Sequence, residues 1–311
     1  MFLGLGSFER LLADRSRITH SYLPKGIPAL SPRKKMLLSA TFLAIAASFD
    51  AIAILCYKEK CNGHLKRWPE LLRPRVHVFD AALMDKKLLK YGFNLKRNRV
   101  HAFLVTMSHV HVANQLFANE SVNTFLMLEE DYELIEPPLR RYGVEGESAS
   151  NIGQFVTSGI QWNFLKLGYN PKIFAGNDYK HCQAACKCKA VSNGVCYLQP
   201  RLVANESCWV TSSVGYASHR RAWPLLRELG NCTMEIGAKN HDLGIDAWFS
   251  GTSRQCSNAL PVHHLVPGIL HQRVIPGSGK PDHTPAMKAF ASKCVDFTGM
   301  KKSDIALIQE D

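Results

Sequence analysis

The sequence predicts an α/β fold in which a mainly parallel central sheet carries helices on both faces. Short, continuous apolar segments at 51–57, 76–80 and 125–128 are typical of strands buried on both sides of a parallel sheet. Apolar residues at helical spacing lie between them, at 64–72 and from Ser108, a candidate N-cap. This alternation of strand and helix is the order that builds parallel sheets.

Further elements are predicted after the third strand. Residues 149–167 carry apolar side chains at helical spacing, and Gly168 stands where a helix C-cap belongs. Residues 209–218 are strand-like and 220–229 are helical. A last short helical segment begins near Asp246.

The chain is long enough, at 311 residues, for one large domain with terminal segments. Its net charge of +12 indicates anionic partners such as a nucleic acid, a membrane surface or the diphosphate of a sugar nucleotide. Residues 1–35 hold seven basic and two acidic residues, so a net +5 of this charge lies there. The rest of the sequence shows no nucleic-acid-binding motif, and we expect no nucleic acid partner.

Residues 1–48 are predicted to be a basic N-terminal region with a targeting segment. Arg33, Lys34 and Lys35 precede an apolar stretch that ends in small residues near Ser48, as in a secretory signal peptide. A single membrane anchor is the alternative, but it places Asp50 within the span at a cost of roughly 2.5–3.5 kcal/mol. An organelle transit peptide is a third alternative. We expect the lumen of the endoplasmic reticulum or Golgi, with a type II anchor if the segment is retained.

The number and clustering of the cysteines indicate that the protein folds in an oxidising compartment. Five of the ten lie in a predicted loop insertion at 181–208, namely Cys182, Cys186, Cys188, Cys196 and Cys208. We interpret this insertion as disulfide-stapled, and zinc binding with His181 is the alternative. Asn119, Asn205 and Asn231 each begin a glycosylation tripeptide. The domain is predicted to span 49–275, and 276–311 are predicted to be a tail.

The strongest chemical signal is the acidic triplet Glu129, Glu130 and Asp131 directly after an apolar strand. Open α/β sheets place ligands at the carboxyl ends of their strands. Three adjacent carboxylates repel one another unless a cation lies among them, and oxygen ligands suit Mg²⁺ or Mn²⁺. Alternation along an extended strand places Glu129 and Asp131 on one face. A solvated acidic turn is the alternative.

In this order, the motifs resemble those of glycosyltransferase family 25, the lipopolysaccharide and collagen galactosyltransferase group with a GT-A fold. The similar segments are Ser108-His109, the strand with its acidic triplet, 215–222, 244–248 and 267–272, with 65–67 near the first strand. The resemblance implies a single GT-A-like, Rossmann-like domain that binds a nucleotide sugar. It implies metal-assisted transfer of a hexose, galactose or similar, from a nucleoside diphosphate sugar such as a UDP-sugar to a protein or glycan hydroxyl. A different GT-A family, such as an N-acetylglucosaminyltransferase, and a catalytically silent secreted binding protein are the alternatives.

The resemblance and the chemistry together suggest roles for particular residues. Asp131 is the expected metal ligand, with Glu129 ligating through water or contacting the ribose. A further ligand is expected among His263, His264 and His271, for which an ordinary core or surface position is the alternative.

The donor and the acceptor also have expected partners. Arg67 and Lys66 are candidates for holding the diphosphate, and Asp80 for contacting the nucleoside. Asp246, with Asp242 in reserve, is the candidate base that accepts the acceptor's proton, and helix N-capping is its alternative role.

Two more residues near these have weaker assignments. Trp248 is either a sugar platform or a core residue, and the core role is the more frequent one for tryptophan. His109 is expected to be structural or to support the acidic turn.

Overall fold

A computed structural model of the chain describes residues 40–82, 97–134, 152–173, 188–192, 195–198, 208–236, 244–249, 262–265, 268–272 and 295–296. These residues form an α/β fold built on one mixed sheet. Its strands are β1 Ala51–Cys56, β2 Val76–Asp80, β3 Thr124–Glu129, β4 Tyr132–Leu134, β5 Phe164–Ile173, β6 Cys188–Ser192, β7 Val195–Leu198, β8 Cys208–His219, β9 Val262–Leu265, β10 Leu270–Gln272 and β11 Val295–Asp296. The helices are α1 Ala40–Ala47, α2 Arg97–Phe117, α3 Trp223–Ile236 and α4 Ile245–Phe249, and residues 152–157 are also helical.

The sheet is mixed, so the prediction of a mainly parallel sheet was wrong. Strands β2, β1 and β3 are parallel neighbours, as predicted. Strand β8 then pairs antiparallel with both β3 and β5, and the β6–β7 hairpin pairs antiparallel with β9 through β7. A continuous apolar segment reveals that a strand is buried on both faces but carries no information about its direction. The predicted parallel pairing is therefore correct only for these three strands, whereas the predicted strand at 209–218 is confirmed as β8 but runs antiparallel to its neighbours.

The predicted helix over 149–167 is wrong beyond its first part, because β5 begins at Phe164. Gly168 caps no helix and lies within β5 opposite Gly215 of β8. A Cβ atom on Gly168 would lie 2.7 Å from Val214 Cγ1 and 2.8 Å from Leu270 Cβ. The glycine therefore allows close packing of strands, a requirement that sequence spacing did not reveal.

Two other helix predictions also differ from the structure. Ser108 is not an N-cap, because α2 begins at Arg97 and Ser108 is buried within it. The predicted helix at 64–72 is replaced by a 3₁₀ turn at Leu65–Arg67 and irregular turns, and a second 3₁₀ turn follows at Arg73–Arg75. The helix predicted from 220 is confirmed, with α3 preceded by a 3₁₀ turn at Arg220–Ala222.

The two faces of the sheet are covered by different elements, which confirms helices on both faces. The α2 face, covered by α2, α3 and α4, receives Phe125 and Met127 of β3. The α1 face, covered by α1, Trp68 and helical residues 152–157, receives Leu126 and Leu128. The alternation of side chains along β3 thus divides one apolar segment between two separate cores.

Helix α1 falls inside the predicted targeting region, and its side chains belong to the core of the α1 face. Phe42, Ile45 and Ala46 are fully buried. The Phe42 ring stacks on Tyr132 and packs at an angle against Trp68, with centroids 5.8 Å apart in both pairs. The extent of the targeting segment within 1–48 stays a prediction. Throughout the described ranges, no helix has the length and apolar character that crossing a bilayer requires.

Disulfides occur both inside and outside the cysteine-rich insertion. Cys196 of β7 is disulfide-bonded, in keeping with the interpretation of the insertion as disulfide-stapled. Cys232 of α3 is also bonded, and Cys56 pairs with Cys61 directly after β1, which the sequence analysis did not predict. The described parts of the insertion form the β6–β7 hairpin of the sheet rather than an irregular loop. Within the predicted tail, Val295–Asp296 pairs with β6 as β11.

Candidate functional site

The acidic triplet divides at the end of β3. The strand ends at Glu129, and Glu130 and Asp131 form the turn into β4. Glu129 continues the register of Phe125 and Met127 and therefore lies on the α2 face. The backbone is no longer extended after Glu129, so the alternation of side chains along a strand does not place Glu129 and Asp131 on one face. Their pairing as metal ligands stays a prediction.

Glu129 is held by side chains from α2 and β8. Its Oε1 atom accepts a short hydrogen bond from Ser213 Oγ and lies 3.4 Å from His109 Nε2. The other ring nitrogen of His109, Nδ1, is 2.9 Å from Tyr216 Oη, and the two rings stack. His109 is fully buried, so it supports the acidic turn as expected. Two elements, α2 and β8, thus position this one carboxylate at the end of β3.

Lys166 of β5 brings a buried cation to the same place. It follows the register of Phe164 onto the α2 face, is fully buried, and has its ammonium 5.2 Å from the centre of the Phe249 ring. Burial lowers the pKa of Lys166 to about 8, while attraction to Asp246 and Glu129 opposes that shift. An ammonium this deeply buried is tolerated because carboxylates lie beside it.

Asp246 completes the group from the first turn of α4. Burial raises the pKa of its carboxyl, and the nearby charge of Glu129 raises it further. The Lys166 ammonium and a hydrogen bond from Ser213 act in the opposite direction. Among the described residues, none forms a hydrogen bond with the buried Oδ1 atom of Asp246. Helix α4 begins at Ile245, so Asp246 is its second residue rather than its N-cap.

These side chains form one site, which we call the Lys166 cluster: Glu129, His109, Ser213, Tyr216, Lys166 and Asp246. It contains two carboxylates, one amine and three hydrogen-bonding groups. The two carboxylates have a cation in common, and the charge of Glu129 raises the pKa of Asp246. A buried carboxyl with a raised pKa is a better proton acceptor than an ordinary aspartate, which is the property that a general base needs.

The other predicted donor-binding residues have different surroundings. Asp80 Oδ1 accepts hydrogen bonds of 2.9 Å from the backbone N–H groups of Lys58 and Ala82. It therefore braces the chain after β1 as well as ending β2. Lys66 and Arg67 are exposed on the 3₁₀ turn at Leu65–Arg67. Their assignment to the diphosphate stays a prediction.

The three candidate histidines lie on two strands. His271 is opposite Glu133 in the β10–β4 pair, with Nε2 3.7 Å from Glu133 Oε2. His264 is buried beside its register partner Lys166. His263 points to the opposite face of β9, where its ring packs on Phe155.

The last residues singled out from the sequence are Trp248, Asp242 and the predicted metal ligands. Trp248 is buried against Phe164, which places it in the core and not on a sugar-binding surface. Asp242, the reserve base, lies outside the described residues. In the described part of the chain, no group of three or more His, Cys, Asp or Glu side chains is placed to hold a metal ion. The assignment of Glu129, Asp131 and His271 as metal ligands stays a prediction.

Glu129 and Asp246 were predicted from the sequence as site residues, whereas Lys166, Ser213 and Tyr216 were not. One signal for Lys166 was present, because it is a single charge within the apolar segment 164–167. Such a residue in a buried strand requires a charged partner. Ser213 and Tyr216 carried no comparable signal, because serine and tyrosine are common in strands without a chemical role.

Comparisons with known proteins identify no family for this chain. No protein-family model and no curated protein sequence matches the chain. Among solved structures, the chain is similar to the crystal structure of mannose-1-phosphate geranyltransferase from Thermus thermophilus. The match covers 72% of this chain and 75% of that chain, with 7% sequence identity and a TM-score of 0.32. A similarity this low carries no argument about function.

Proposed function

We propose that this chain is a glycosyltransferase that moves a hexose, galactose or a similar sugar, from a nucleoside diphosphate sugar to a hydroxyl of a protein or glycan. One observation carries the proposal: two carboxylates, Glu129 and Asp246, share a buried lysine beside the carboxyl end of β3. Strand β1 has β2 on one side and β3 on the other. Ligands of open α/β sheets bind in the crevice that such an arrangement creates.

The reaction needs a group that accepts a proton. As the acceptor oxygen bonds to the anomeric carbon, the bond from that carbon to the phosphate oxygen breaks and the nucleoside diphosphate leaves. The acceptor's proton passes to a carboxylate, for which a pKa raised toward neutrality is suited. Asp246 is our choice, because burial and Glu129 raise its pKa while Lys166 favours its ionised form.

Lys166 and His109 are positioning residues in this proposal. Lys166 interacts electrostatically with both carboxylates, and His109 links Glu129 to Tyr216. Bound Mn²⁺ or Mg²⁺ would stabilise the charge on the departing diphosphate. The dependence on metal stays a prediction, as does the assignment of its ligands. The disulfides support our proposal that the enzyme works in the lumen of the secretory pathway.

A donor screen with the purified full chain tests the proposal. UDP-, GDP- and CMP-sugars are supplied with Mn²⁺, with Mg²⁺ and with a chelator, and sugar release or transfer is measured. We expect turnover of one donor, with Asp246→Asn lowering it by about 10²–10⁴-fold. Glu70→Gln is the matched control, because that side chain is 90% exposed and its nearest cation is its neighbour Arg73.

The outcomes separate the candidate functions. Unchanged turnover in Asp246→Asn excludes the assigned base, while transfer of N-acetylglucosamine instead of a hexose indicates another GT-A family. Failure to bind any nucleoside diphosphate at millimolar concentration indicates a catalytically silent binding protein and contradicts the proposal.

A further inference from the structure

Residues 118–123 connect the end of α2 to the start of β3, and we call this segment the α2–β3 turn. The backbone N–H of Val122 donates a 3.0 Å hydrogen bond to the carbonyl oxygen of Asn119, which closes a turn of four residues. Asn119, Glu120 and Ser121 are exposed, whereas Val122 packs into the core of the α2 face. The turn therefore presents three consecutive polar side chains to solvent.

The side chain of Arg220, the first residue after β8, fixes the backbone of this turn. Its guanidinium donates hydrogen bonds to the carbonyl oxygens of Phe117, Asn119 and Val122. The last carbonyl groups of a helix have no partner within it, and an arginine beside them supplies one. The backbone of the α2–β3 turn is thus bound to the sheet while the side chains of residues 119–121 stay exposed.

The three exposed residues form a glycosylation tripeptide, Asn119-Glu120-Ser121. Asn119 Oδ1 accepts hydrogen bonds of 3.1 Å from the Ser121 backbone N–H and of 2.9 Å from Ser121 Oγ. Both bonds use the amide oxygen of Asn119, whereas a glycan is attached at the amide nitrogen, Nδ2. A glycosylated Asn119 can therefore keep the hydrogen bonds that shape the turn.

The tripeptide Asn231-Cys232-Thr233 has different surroundings. It lies within α3, where Asn231 is half-buried and Thr233 is fully buried. Cys232 is disulfide-bonded. A bulky, hydrophilic glycan belongs on exposed surface, so the folded chain accepts one at Asn119 far more readily than at Asn231.

The α2–β3 turn and the Lys166 cluster are at opposite ends of β3. The turn precedes Thr124, the first residue of the strand, and Glu129 is its last residue. The length of the strand separates the two ends by roughly 17 Å. A glycan attached before β3 therefore leaves the carboxyl edge of the sheet open.

We infer that Asn119 is a glycosylated residue of this protein and that Asn231 is not. The donor is a lipid-linked oligosaccharide: Asn119 Nδ2 bonds to C1 of its first sugar, the bond from C1 to the lipid diphosphate breaks, and Nδ2 gives up a proton. The inference rests on the proposed lumenal location and is independent of the proposed sugar transfer by this chain.

Mapping of the modified asparagines tests the inference. The full chain is recovered from the secretory pathway of a eukaryotic host, and its glycans are removed by peptide N-glycosidase in heavy-oxygen water. That enzyme converts each glycosylated asparagine to a labelled aspartate. We expect mass spectrometry to find the label at Asn119 and an unmodified Asn231.

Variants in an Asn205→Gln background isolate the two described tripeptides, because Asn205 lies outside the described residues. Ser121→Ala keeps the backbone hydrogen bond to Asn119 but removes the hydroxyl that the tripeptide requires. It should abolish the change in electrophoretic mobility that the glycosidase causes, and Ser121→Thr should restore it. Asn231→Gln is the matched control and should show the same change as the background protein.

The outcomes separate this inference from the proposed location. Label at Asn231, or an unmodified Asn119 in protein recovered from the lumen or the medium, overturns the inference and leaves the location intact. Protein that carries no glycan and fractionates with the cytosol overturns both.

Discussion

The two faces of the sheet share the same strands but have different chemistry. On the α1 face, Leu126 and Leu128 of β3 meet an apolar core that includes Phe42 and Trp68. On the α2 face, the same strand continues from Met127 to Glu129 and enters the Lys166 cluster. Burying a carboxylate and an amine contributes less to stability than apolar packing of similar volume. The contrast indicates that the α1 face stabilises the fold, whereas the α2 face gives up some stability to hold a chemical site.

The largest expected effect comes from removing the cation of the α2 face. Lys166→Met leaves the partly buried Glu129 and Asp246 without their shared ammonium, so we expect a loss of about 3–5 kcal/mol in the free energy of unfolding. Urea denaturation measures this loss. The double variant Lys166→Met/Asp246→Asn removes both charges and should recover part of the stability without recovering transfer. Equal stability of the single variant and the wild-type protein would show that the cluster does not act as one charged unit.

A substitution on the α1 face should lower the stability of the fold without changing the rate of transfer. Phe42→Ala creates a cavity against Trp68 and Tyr132, and we expect it to lower the free energy of unfolding by about 3–5 kcal/mol. The rate of transfer per folded molecule should stay unchanged. Leu71→Ala, at an exposed position, is the control.

The same variant tests the predicted targeting segment. If α1 is removed with a signal peptide, the mature protein lacks Phe42 and the substitution has no effect on its stability. Mass spectrometry of the secreted protein identifies its first residue. A destabilised variant that retains residue 42 would show that α1 is a lasting part of the domain.

The smallest expected effect is a loss of stability at acidic pH, which arises from His263 on the α1 face. Burial lowers the pKa of His263 from 6.5 to about 4, so the unfolded chain binds a proton there before the folded protein does. The contribution of this residue is complete above pH 6.5 and is lost as the pH falls through about 4. We expect the wild-type protein to lose about 2–3 kcal/mol more between roughly pH 7 and 4 than His263→Phe does.

Denaturant titrations at several pH values measure that difference. His264, whose pKa burial also lowers, is present in both proteins, so the part of its contribution that comes from burial and from Lys166 cancels in the comparison, and the part that comes from His263 is counted with His263. Parallel stability curves for the two proteins would mean that His263 is not the source of the acid sensitivity.

The pattern of apolar and polar residues predicted those strands and helices whose type is set by residues close together in the chain. The apolar segments of β1, β2 and β3 are strands, and the segment that begins near Asp246 is a helix. The same patterns failed at 149–167, where apolar residues at helical spacing belong in part to a strand buried on both faces. They also failed at Ser108, because a polar residue in the middle of a buried helix looks like a cap when only its neighbours are considered.

By itself, the sequence determined that an acid follows a buried strand and that another acid opens a short apolar helix. Both facts are local, since they depend on the order of side chains along a few residues. The tertiary structure alone decided that Glu129, Lys166 and Asp246 meet, and that β8 runs opposite to its neighbours. Residues this far apart in the chain are brought together by the register between strands, and the free energy that selects a register comes from the packing of the whole sheet.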